Sequence, residues 1–185
     1  MSYKDIAPAL VRELIACDYE TGLMTWKHRE ARHCHGSQAS ADYFNRRYAG
    51  TPALAAVDRC RNHRSGAILG HSVRAHHAVW CHYYGEWPTQ WLDHIHGADK
   101  GDGIHNLREA TPRQNQRNMK LRAGHPSGVM GVSLDQISGK YVARIANGKG
   151  GMKTLGKFEH FDDAVAVRKA AERSHGYHPN HGRAA

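Results

Sequence analysis

Three short runs, VMGVSL (129–134), KYVARIA (140–146) and MKTLGKF (152–158), are separated by the turn sequences SGK and NGKGG. The stretch DDAVAVRKAAERSH follows, and Gly176 closes it. Runs this short, broken by glycine turns, fit half-buried strands joined as hairpins. Asp162 is expected to cap the helix, which Gly176 ends. Ala164, Val167 and Ala171 give that helix a small-residue face suited to lying close on a sheet. The spacing therefore predicts a small three-stranded antiparallel sheet with one helix over 129–177. Strict alternation puts Lys153 and Lys157 on the face of Leu155, so an edge bulge or snorkelling lysines are expected.

The rest of the chain reads as a second, different part. A helix is expected over Ile6–Ala16, with Asp5 as cap and Pro8 in the first turn. CDYETGLMTWK (17–27) reads as a hairpin turning at Glu20-Thr21-Gly22. Residues 28–50 are polar, histidine-rich and bounded by glycine, and read as loop. RAHHAVWCHYY (74–84) reads as a helix with His76, Val79, Trp80 and Tyr83 near one face, ended by Gly85 and Pro88. The fold class is α+β, divided into 1–122, a linker at 123–128, the module at 129–177 and a frayed tail at 178–185. No apolar run approaches the roughly 18 residues of a membrane span. The N-terminus lacks a signal-peptide core, so a soluble cytoplasmic protein is expected.

The formal charge is +9. Residues 103–158 hold ten lysines and arginines against Glu109 and Asp135. A polyanion is the natural partner for such a stretch, and nucleic acid is the first candidate. The four cysteines (Cys17, Cys34, Cys60, Cys81) form no CxxC pair and give no disulfide framework. HCHG (33–36) and CRNH (60–63) could in principle meet around zinc, which is the weaker of the metal readings.

The densest chemistry lies in LDHIHGADKGDGIHNLREATPRQNQRN (92–118). Asp93 and His94 are adjacent, and Gly97, Gly101 and Gly103 make bending after them easy. Thr111-Pro112-Arg113-Gln114 is a capping box with Pro at the first helical position, so a helix starts at Pro112 and carries Asn115. The expected order is strand, loop, helix. A carboxylate and an amide oxygen suit Mg²⁺ or Mn²⁺. A neutral histidine can take a proton from water. Asn106, with two donors and an acceptor, can hold the histidine strand and the loop in register.

This stretch resembles the HNH (ββα-metal) endonucleases of phage and homing type. RAHHAVW…GEWP and DYETGLMTWK resemble segments that precede the motif in that family. The resemblance implies a metal-dependent DNA nuclease. It makes His94 the general base, Asp93 and Asn115 the metal ligands, Asn106 the central asparagine, and His76 a further active-site candidate. It also implies Mg²⁺ or Mn²⁺ as cofactor, double-stranded DNA as partner, and 5′-phosphate and 3′-hydroxyl ends. A monomer or transient dimer would suffice. The chain departs from the pattern at His77, His96 and Gly101-Asp102-Gly103, and the last of these leads us to expect a looser loop. Residues 127–176 resemble the AP2 DNA-binding domain through Gly131-Val132, Ala143-Arg144-Ile145, Leu155-Gly156, Phe158 and Ala164. The positions that family turns toward DNA are Met130, Ser133, Asp135, Arg144, Ala146, Met152 and Thr154 here. Candidate DNA contacts are Arg108, Arg113, Arg117, Lys140, Arg144, Lys149 and Lys153. The alternative on the same scaffold is a DNA-binding protein without cleavage.

Overall fold

The computed structural model describes residues 2–58, 63–148 and 150–184; Cys60 and Lys149 lie outside the described residues. Among these residues the chain is mixed α+β, with five α-helices and several small antiparallel sheets. It divides into two compact units, Met1–Ala110 and Thr111–Ala185. The segment expected as a linker, 123–128, falls inside the second unit.

In the first unit, α1 spans Pro8–Leu14, shorter at both ends than the expected Ile6–Ala16. A separate capped turn, Tyr3–Asp5, precedes it. Ile15 turns extended, at φ −132° and ψ 138°, and opens β1 (Ile15–Cys17). There it pairs with Trp26 of β2 (Met24–Trp26) and is fully buried. Burying an isoleucine side chain contributes about 1.5–3 kcal/mol, more than the helix propensity of two further residues. The stretch expected as loop contains α2 (Gln38–Tyr48), capped by the Ser37 side chain on the Ser40 N–H. Only Ala41 of this helix is buried. It is fixed by Phe44, which meets Trp26 edge-on and carries the Arg29 guanidinium 3.6 Å over its ring.

β3 (Pro52–Ala53) adds to β2, and β4 (Ala56–Asp58), β5 (His63–Ile68) and β6 (His71–Arg74) form a meander. The chain then enters α3 (Ala75–Tyr84), which Gly85 ends in the left-handed conformation at φ 79°. Val11, Leu14, Ile15, Ile68, Val73 and Val79 centre the core on α1, α3 and the meander. β7 (Trp91–His94) and β8 (Leu107–Ala110) complete the unit as a two-stranded ladder.

The second unit begins with α4 (Pro112–Gln116), whose capping box is made by Thr111 and Gln114 as its sequence predicts. β9 (Val132–Leu134), β10 (Tyr141–Ala146) and β11 (Met152–Phe158) form a sheet of order β11-β10-β9. Ala143 pairs with Gly156 but Arg144 pairs with Thr154, so Leu155 is the extra residue of a bulge. The bulge takes Lys157 off the face of Leu155, which packs toward the core, whereas Lys153 still pairs with buried Ile145 and reaches solvent from the edge strand. Helix α5 (Phe161–Ser174) has His160 at its N-cap, so Asp162, the expected cap, lies inside the first turn; the helix lays Ala164 on Val132 and Ala143. The tail is not frayed. His178 N–H bonds to the Arg117 carbonyl, Gly182 N–H to Met119, and Leu121 N–H to the Arg183 carbonyl, while His181 is buried.

Candidate functional site

The β7–β8 ladder sets Asp93 opposite Arg108 and His94 opposite Leu107. Asp93 and His94 are both buried, although neighbours on a strand point to opposite faces. They therefore meet different surroundings. Asp93 Oδ2 accepts from Arg108 Nη2 at 2.8 Å and Nε at 3.1 Å. His94 places Nε2 2.8 Å from Asp102 Oδ1. The loop between the strands is closed by Asn106, which is fully buried. Its Oδ1 accepts from the His96 N–H, and its Nδ2 donates to the carbonyls of Gly97 (3.0 Å) and Gly101 (2.8 Å). Its backbone carbonyl takes the Ile95 N–H at 2.8 Å. The loop is thus folded around one side chain.

The looseness expected of Gly101-Asp102-Gly103 is not found. Asp102 is buried, and its second oxygen, Oδ2, receives Arg64 Nε at 3.1 Å and Nη2 at 3.0 Å. The same guanidinium donates to the Gly22 carbonyl in the turn between β1 and β2. Ile104 N–H bonds to the Tyr19 carbonyl. A Cβ on Gly103 would lie 2.0 Å from the Glu20 carbonyl oxygen, so the N-terminal hairpin sits directly on the loop. Burial works against the Asp102 carboxylate. The bond from His94 and the charges of His94 and Arg64 outweigh it and hold the carboxyl below its usual range. Asp102 and Arg64 are the residues sequence reasoning missed. The only local signal was an acidic residue held between two glycines, and its partner lies far upstream.

Around His94 stand His63 of β5 and His76 of α3. Each of the three offers a ring nitrogen within 4.8 Å of the others, so they could hold a metal ion. His63 lies nearly parallel to His94, with centroids 5.4 Å apart, and His76 meets it edge-on at 5.0 Å. Burial, reinforced by His77 and His94, pushes His76 down to about 2. Burial and the His94 charge also lower His63. Both rings are therefore neutral at pH 7, which a ligand imidazole requires. Among the described residues, Nδ1 of His63 and Nδ1 of His76 are buried without a hydrogen-bond partner. Such orphans cost about 1–3 kcal/mol each. The zinc grouping suggested by HCHG and CRNH is not assembled among the described residues. His33 uses both ring nitrogens, on Glu13 and on the Glu30 N–H, and His63, the one described residue of the second motif, joins the cluster.

Asn115 lies in the second unit, half-buried on α4. Of the candidate DNA contacts, Arg113, Arg144 and Lys153 are exposed. Arg108 is tied to Asp93, Lys140 pairs with Glu159 at 2.7 Å, and Arg117 stacks over Tyr177 at 5.1 Å. Asp135, which would oppose phosphate, is held by Lys157 at 2.7 Å. Lys149 lies outside the described residues. No helix among the described residues is long and apolar enough to cross a membrane. Comparison with protein-family models, with curated proteins and with solved structures gave no match to the chain.

Proposed function

We propose that this protein is a metal-dependent DNA endonuclease of the HNH type, with a C-terminal AP2-like unit that holds DNA. The observation that carries this reading is the His94–Asp102 pair, at the end of a strand whose preceding residue is a carboxylate and whose following loop is closed by Asn106. With Nε2–H donated to Asp102, the lone pair sits on Nδ1, and the carboxylate fixes both tautomer and ring orientation. That nitrogen takes the proton of a water attacking a phosphodiester, and Asp102 balances the imidazolium that results. Asp93 would hold a Mg²⁺ or Mn²⁺ ion through a hard carboxylate oxygen, the donor type such ions prefer. When bound, the ion supplies charge stabilisation at the scissile phosphate and leaving oxygen. Asn106 does no proton transfer; it positions the loop that carries Asp102. Arg113, Arg144 and Lys153 are suited to backbone contacts, which give salt-sensitive and largely sequence-independent affinity.

One observation favours a second reading, a DNA-binding protein that does not cut: the Asp93 carboxylate is already engaged by Arg108. Supercoiled plasmid separates the two. The nuclease reading expects nicked circles that require Mg²⁺ or Mn²⁺, disappear with EDTA and are resealed by ligase. A gel shift lost at high salt, with no nicking in either metal, is the signature of the second.

A further inference from the structure

We propose that His63, His76 and His94 form a site for a zinc-class transition-metal ion, and that this ion silences the nuclease by taking the His94 lone pair. The silencing rests on the nuclease reading; the site itself does not. Three imidazoles converge from three different elements, β5, α3 and β7, with ring nitrogens within 4.8 Å of one another. Two of them keep a buried nitrogen, Nδ1 in both cases, that no described residue satisfies. An ion that accepts nitrogen donors is the partner such a cluster lacks. Imidazole nitrogens suit Zn²⁺, Ni²⁺ and Cu²⁺, whereas Mg²⁺ prefers oxygen. Tetrahedral zinc with Zn–N near 2.0–2.1 Å places ligand nitrogens about 3.4 Å apart, so the rings need to draw in by roughly 1.4 Å at the widest pair.

Asp102 fits this role as well as it fits catalysis. A histidine that ligates a metal commonly gives its other ring N–H to a carboxylate, which fixes the tautomer and strengthens the donor. His94 makes that bond through Nε2 at 2.8 Å, and Arg64 locks the carboxylate from behind. Three protein ligands leave a fourth position for water or a phosphate oxygen. The nitrogen that would accept a proton from water is the nitrogen that would bind the ion. Base and ligand are therefore exclusive states of one imidazole.

The test uses the full chain, stripped of metal and without DNA. Co²⁺ titration should give visible d–d absorption of tetrahedral intensity, saturating at one equivalent, and Zn²⁺ should displace it against a chromophoric chelator. His63→Ala and His76→Ala should each weaken Zn²⁺ binding at least 100-fold, and Asp102→Asn by about 10–100-fold. His63 is only half-buried, so its variant keeps the test open if His76→Ala fails to fold. Absence of one-to-one binding, or binding retained in a folded His63→Ala, overturns the site. In plasmid nicking with Mg²⁺ present, Zn²⁺ should suppress the wild type, and His63→Ala should need far more Zn²⁺ for the same suppression. Full nicking by zinc-loaded protein overturns the silencing. Metal binding with no nicking under any condition upholds the site and rejects the nuclease.

Discussion

Asn106→Ala is expected to destabilise the first unit by about 3–5 kcal/mol, against a total of roughly 5–15 kcal/mol for a typical domain. The side chain is fully buried and makes three hydrogen bonds, to the His96 N–H and to the carbonyls of Gly97 and Gly101. Alanine leaves all three groups without their partner inside a closed loop, and a small cavity in place of the amide. Asp102 sits in that loop, so the orientation of His94 is lost together with stability. Urea melts should show a lower midpoint with an unchanged slope. Asn106→Asp should recover only the contact to the His96 N–H, because a carboxylate cannot donate to the two carbonyls. A melt of Asn106→Ala superimposable on wild type would remove the loop-organising role.

Gly103→Ala is the second large effect. The backbone there has φ −53°, which any residue accepts, so conformational strain is not the issue. The difficulty is space. The added Cβ would lie 2.0 Å from the Glu20 carbonyl oxygen and 2.9 Å from its carbon, both backbone atoms that cannot rotate away. The hairpin between β1 and β2 must lift off the loop, at a cost of about 3 kcal/mol or more. Gly124→Ala is the matched comparison. Nothing lies within 4 Å of its Cβ position, and only the positive φ of 72° opposes it, so about 1–2 kcal/mol is expected. Equal melting temperatures for the two variants would contradict the close approach.

These two positions also explain what was legible in the sequence. Asn106 stands out because its spacing from Asp93-His94 and the capping box at Thr111 survive as a local pattern. Gly103 and Asp102 read as a departure from the motif, because the residues that make sense of them, Glu20 and Arg64, lie far upstream in sequence. The histidine cluster failed for the same reason. His63, His76 and His94 each drew attention separately, but only the packing of β5, α3 and β7 brings their rings together. Helix α2 was missed because SQASADYFNRRY buries a single alanine and is fixed by Trp26 and Arg29, neither of which its periodicity reveals. A bulge in β11 was one of two outcomes the alternation allowed, because Lys153 and Lys157 fell on the face of Leu155; the register bulges for Lys157 and leaves Lys153 opposite Ile145. The three short runs before α5 gave the C-terminal sheet because their turns are encoded within a few residues.

If His94, oriented by Asp102, is the base of a metal-dependent nuclease, its removal should all but abolish cleavage and spare DNA binding. The most direct measurement is single-turnover nicking of supercoiled plasmid in Mg²⁺ or Mn²⁺, wild type against His94→Ala, with both proteins shown to be folded by their melts. Metal-dependent nicking is expected of the wild type, with a rate lower by about 10²–10⁴ in the variant and DNA affinity retained. Equal nicking by the two proteins would contradict that role for His94.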